Sequence, residues 1–250
     1  AKDRPLPNFL RDFRFDVRRL RGAMILPLLT LGACGAPHSP SDQAIATFSL
    51  TTRAGITDYA VDPDPLKHAA AGYFRDVAVA APDESVGQFR ARVATAIYSE
   101  KGVHASLGSA AQQAIEPRLA ALDAAARKDD RQGAGLAALE IYRALVEDMA
   151  TVSKATTAMA LIDYAQLAGA ARLAAARPDW SGVDAAMTMA GQHWDDIAGD
   201  VGDTALAGQM GAALKAAREG AARRDDAATE QALQAARPSI DRLIAYFKRT

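Results

Sequence analysis

From Leu66 to the C-terminus, apolar residues recur at spacings of three and four, and short polar or Pro/Gly-containing breaks separate the runs. That periodicity predicts a succession of amphipathic helices. The first is expected from about Leu66 to Ala80, with Leu66, Ala69, Ala70, Tyr73, Phe74 and Val77 on its inner face and Pro82-Asp83 as its stop. Ser85 followed by Gln88 is a capping box that opens the second helix, whose stripe is Val86, Phe89, Val93, Ile97, Glu100 and His104. A third helix, about Ser109 to Arg127, contains Pro117, which implies a kink or a later start. A fourth runs from about Gly133 to Met149. Four more follow: Met159 to Ala175, one capped at Ser181, one capped at Asp203 that reaches Arg223, and Ala227 to Phe247, interrupted by Pro238.

The second four repeat the first. Ala124-Ala125-Ala126-Arg127-Lys128-Asp129-Asp130 returns as Gly220-Ala221-Ala222-Arg223-Arg224-Asp225-Asp226, 96 residues on. Ala80-Ala81-Pro82-Asp83-Glu84-Ser85 returns at the same offset as Ala176-Arg177-Pro178-Asp179-Trp180-Ser181. Two turn signals in one register read as an internal duplication. The expected fold is therefore all-α: an internally duplicated bundle of about eight helices in two four-helix units, over 65–155 and 156–250. Helix hairpins stacked as a short solenoid are the alternative. In the 96-residue register Tyr98 matches Trp194, Glu84 matches Trp180, and Glu100 matches Asp196.

Composition sharpens this picture. Half of the 250 residues are apolar but only 6% are aromatic, so alanine-mediated close packing forms the expected core. The net charge of −1 combines a basic N-terminus with a mildly acidic body that has no basic stripe, which gives nucleic-acid binding no support. The single cysteine, Cys34, excludes an intrachain disulfide.

The N-terminus has its own logic. Arg11, Arg14, Arg18, Arg19 and Arg21 precede the apolar run Gly22 to Ala33. A basic region followed by a short apolar one has the form of an export signal, and the run is well short of the ~20 residues needed to span a bilayer. Leu31-Gly32-Ala33-Cys34 resembles the lipobox of bacterial lipoproteins. The resemblance implies a signal peptide over 1–33, acylation of Cys34, a lipid-anchored tether and extended segment over 34–64 that includes Phe48-Ser49-Leu50-Thr51-Thr52, and a periplasmic location on the inner or outer membrane. Gly35 stands where the family commonly carries an aspartate for inner-membrane retention, which leans the sorting outward.

The body carries no phosphate loop, no CxxC and no HExxH, and no residue set asks for an enzyme. Glu100 and His104 share a helix face at i,i+4 and form a candidate metal pair for zinc, iron or copper. Met189 and His193 form a second such pair, suited to copper. An ion pair for the first and core filling by methionine for the second are the plainer readings. Trp180, Trp194 and Tyr98 are candidate partner contacts, in a groove between the copies or beside a turn. The sequence thus points to a lipid-anchored helical protein that binds or scaffolds an envelope protein partner. The alternatives are a metal-binding or metal-delivery protein and an accessory subunit of a membrane complex.

Overall fold

The computed structural model describes residues 64–80, 83–149 and 152–247, which include eight α-helices and no strand. They are α1 (Asp64–Ala78), α2 (Val86–Val103), α3 (Ser109–Arg127), α4 (Arg131–Glu147), α5 (Lys154–Leu173), α6 (Trp180–Ile197), α7 (Thr204–Arg223) and α8 (Asp226–Phe247). A 3₁₀ turn follows α2 at His104–Ser106, and another follows α6 at Ala198–Asp200. The fold is an all-α bundle, as the periodicity predicts. Cys34, the apolar run before it and the extended segment 48–52 lie outside the described residues.

Side-chain caps set most helix starts. The Ser85/Gln88 box forms as expected, and Asp203 accepts from Leu206 N at 2.9 Å. Asp130 accepts from Gly133 N at 2.8 Å and Asp225 from Ala228 N at 3.0 Å. Two expectations fail here. The cap of α6 is Asp179, which accepts from Gly182 N at 3.0 Å, and Ser181 lies within the helix. α3 begins at Ser109, ahead of Pro117, so the later start is not taken, and α8 runs through Pro238 without the expected interruption.

Each half is a ring of four helices. In the first, α1 packs on α2 and α4, and α3 on α2 and α4; in the second, α5 packs on α6 and α8, and α7 on α6 and α8. The α4–α5 contact joins the halves into one compact unit. These two helices are therefore buried on nearly every side, which their alanine-rich, evenly apolar sequences permit. Close approach needs small residues: a Cβ on Gly220 of α7 would stand 2.9 Å from the Thr229 backbone nitrogen of α8.

Burial recurs between the halves, but the register is shorter than 96. Phe89, Val93, Ala96, Glu100 and Val103 of α2 answer to Val183, Met187, Ala190, Trp194 and Ile197 of α6, 94 positions on. The other pairs run at 95: Ala111, Ile115 and Leu122 of α3 answer to Leu206, Met210 and Ala217 of α7. Lys67, Ala70, Ala71 and Phe74 of α1 answer to Ile162, Ala165, Gln166 and Gly169 of α5. The left-handed turn residues Asp129 and Arg224 are also 95 apart. At 3.6 residues per turn, a slip of two residues rotates a helix position by about 200°. Tyr98 is accordingly not the counterpart of Trp194: it is 62% exposed, while Trp194 is buried in the place that Glu100 holds in the first half.

Candidate functional site

Two of the most deeply buried polar residues, Asp163 and Gln166, lie on α5 where the halves meet. Asp163 sits in the apolar run of α5 at 1% exposure. Arg75 of α1 donates to it from Nε at 2.5 Å, and Arg237 of α8 donates from Nη1. Arg237 also reaches Gln166 at 3.2 Å and Asp241 at 3.0 Å, and Gln166 donates to the Leu233 carbonyl at 2.6 Å. Burial alone would raise the Asp163 pKa, but the two guanidiniums overcome it and hold the carboxyl below its ordinary value. Burial would likewise lower the Arg75 pKa, yet Asp163 keeps it above the ordinary value. Tyr142, beside the cluster, is pushed up by burial first and by Asp163 second. Geometry and electrostatics agree on one fully ionised carboxylate clamped between arginines from both halves.

A second polar group spans the α4–α5 contact. The Tyr164 hydroxyl donates to Glu140 at 2.8 Å, Arg172 donates to the same carboxylate at 3.1 Å, and Gln132 donates to the Ala171 carbonyl at 3.1 Å. The Arg143 guanidinium lies over the Tyr164 ring, 5.7 Å from its centre. Burial, then Glu140, pushes the Tyr164 phenol up to about 12.

The structure separates the residues expected to form a site. Glu100 and His104 do pair, with Nδ1 and Oε1 2.7 Å apart, Glu100 buried and His104 partly exposed. Among the described residues, no group of three or more His, Cys, Asp or Glu stands in metal-binding proximity. Met189 and His193 are half-buried on α6, and Met187 and Met210 are core residues. Trp180 is the first residue of α6 and packs at the edge of the core. Trp194 borders a cleft of about 430 Å³ between α6 and α7, within the second half and not between the halves. Tyr98 points away from the core side of α2.

The inner face of α1 also differs from expectation. Lys67, Ala70, Ala71, Phe74 and Val77 are buried, whereas Leu66 and Tyr73 are 52% and 45% exposed. Lys67 enters the interior because Asp148 at 2.7 Å and Asp64 at 3.7 Å neutralise it. Sequence reading missed Asp163 and its two arginines; a lone aspartate in the run from Ala158 to Leu167 was the available signal. No helix among the described residues is long and apolar enough to cross a membrane. Nothing among protein-family models, curated proteins or solved structures matches the chain.

Proposed function

We propose that the protein is a lipid-anchored envelope protein that binds a protein partner through α2, with Tyr98 as the anchor residue. The observation that carries this reading is the exposure of Tyr98, the most exposed large apolar side chain among the described residues, on the face of α2 opposite the buried Phe89, Val93 and Ala96. Exposed aromatic side chains with a polar tip are frequent interface anchors. The lipid anchor rests on the lipobox at Cys34. Twenty-nine residues lie between Cys34 and Asp64, a span that reaches no farther than roughly 100 Å when fully extended. The partner is thus sought on the same membrane. The recurrence of burial between the halves supports descent from one four-helix unit.

Two experiments test the reading. Growth on a clickable fatty acid should label the wild-type protein and leave Cys34→Ser unlabelled; equal labelling of both removes the anchor. A photo-crosslinking amino acid at position 98 should give a discrete envelope adduct, while the same group at Lys215 gives none. Adducts at both positions, or at neither, contradict a specific contact on α2.

A further inference from the structure

The pairing of α6 with α7 departs in its chemistry from that of α2 with α3. In the first ring Glu100 is held by His104 at 2.7 Å and Asp123 by Arg127 at 2.6 Å, each partner four residues on along the same helix. At the offsets of 94 for α6 and 95 for α7, those pairs become Trp194 with Ala198 and Arg218 with Ala222. Two carboxylates with partners are thus replaced by two hydrogen-bond donors whose partners have become alanine. Among the described residues, neither the Trp194 indole N–H nor the Arg218 guanidinium makes a hydrogen bond or ion pair.

Space opens where these donors lie. Gly191 and Gly211 stand where the first ring has Ile97 and Glu116. Arg218 crosses Gly191, with Nη1 3.5 Å from the place of a Cβ there, and Trp194 Nε1 lies 3.4 Å from the place of a Cβ on Gly211. Gly191 and Trp194 are three residues apart on α6, about 4.5 Å along its axis, so both donors reach the same turn of the helix. Trp194 is only 7% exposed, and packing therefore fixes the direction of its N–H. Both donors line the cleft of about 430 Å³, together with the buried Leu214 and with Asp195, which replaces Lys101 of the first ring. Asp195 also makes no hydrogen bond or ion pair among the described residues. Lys215 and Glu219, at the rim, pair with each other at 4.0 Å, and Asp184 lies about 10 Å from Gly191 along α6.

Open donors call for a ligand that brings acceptors. A carboxylate set between Arg218 and the Trp194 N–H accepts charge-assisted bonds from both. A simple anion would be repelled by Asp195, whereas a ligand with an ammonium beside its carboxylate satisfies all three groups. The volume suits a small molecule, and Leu214 suits an apolar side chain.

We propose that the α6–α7 cleft binds an α-amino acid with an apolar side chain, its carboxylate held by Arg218 and the Trp194 N–H and its ammonium by Asp195. The site is separate from the α2 contact, and neither reading depends on the other.

Calorimetric titration of the full chain with Cys34→Ser tests this, using L-leucine and L-phenylalanine as probes. One-to-one saturable binding of at least one is expected. Analogues that lack the ammonium (4-methylpentanoate, 3-phenylpropanoate) or the carboxylate (3-methylbutylamine, 2-phenylethylamine) should bind at least about tenfold more weakly. Arg218→Ala should weaken binding of the amino acid at least about tenfold, and Asp195→Asn at least about threefold. Both side chains are exposed, and matching circular dichroism melts establish that each variant folds. The proposal is overturned if neither amino acid saturates the protein below about 10 mM, if an analogue with a single charge binds as tightly, or if Arg218→Ala binds like the parent.

Discussion

Helices α1 and α5 hold the same place in their two rings, yet α1 is buried along one stripe and α5 on nearly every side. The difference comes from position in the array and not from helix type. Inside the molecule α5 has α4, α6 and α8 around it, whereas α1 has α2 and α4. The sequences follow: α5 places Asp163 where α1 has the exposed His68, and Tyr164 where α1 has Ala69. One scaffold therefore carries different chemistry according to what covers it.

The largest effect expected is at Asp163. Asp163→Ala leaves Arg75 and Arg237 buried without their carboxylate and should cost about 3–5 kcal/mol in urea unfolding, whereas His68→Ala at the equivalent position should change stability by less than about 0.5 kcal/mol. Equal effects would remove the distinction between the helices. Next, Leu161→Ala should cost about 2–5 kcal/mol, and Leu66→Ala, in dilute protein, less than about 0.5 kcal/mol.

Acid should expose the same contrast. The carboxyl of Asp163 has a lowered folded pKa, so its stabilisation is fully present above the ordinary value of about 4 and disappears as pH falls through the folded value. Urea midpoints measured from neutral pH downward should fall for the wild type below about pH 4 and vary less steeply for Asp163→Asn. A steeper fall in the variant would reverse the assignment.

The smallest effect separates the two registers. Asp179→Ala should cost about 1 kcal/mol as a lost cap, while Ser181→Ala should cost less than about 0.5 kcal/mol. Thermal melts that rank them the other way would restore the 96-residue alignment at α6.

The eight helices and most of their ends were legible because apolar spacing and capping residues are local properties. Ser85/Gln88 and Asp203 state their caps within a single turn. Register between the halves was not legible, because matching turn motifs fix a sequence offset and say nothing about a residue gained or lost within a loop. That slip paired Tyr98 with Trp194, whereas the bundle places Glu100 there. Burial of Lys67 was hidden for a different reason: its partner Asp148 lies 81 residues away. The Glu100–His104 pair was read correctly as a contact, since i,i+4 spacing defines it, and the structure gives it the geometry of a hydrogen-bonded pair.

The central claim is that the α4–α5 contact and the Asp163 clamp make the two rings one cooperative body. Both tryptophans, Trp180 and Trp194, lie in the second ring, whereas far-ultraviolet circular dichroism reports every helix. Urea unfolding followed by both signals on one sample tests the claim. Coincident midpoints and slopes are predicted. A tryptophan transition displaced from the dichroism transition would show that the rings unfold separately, which contradicts it.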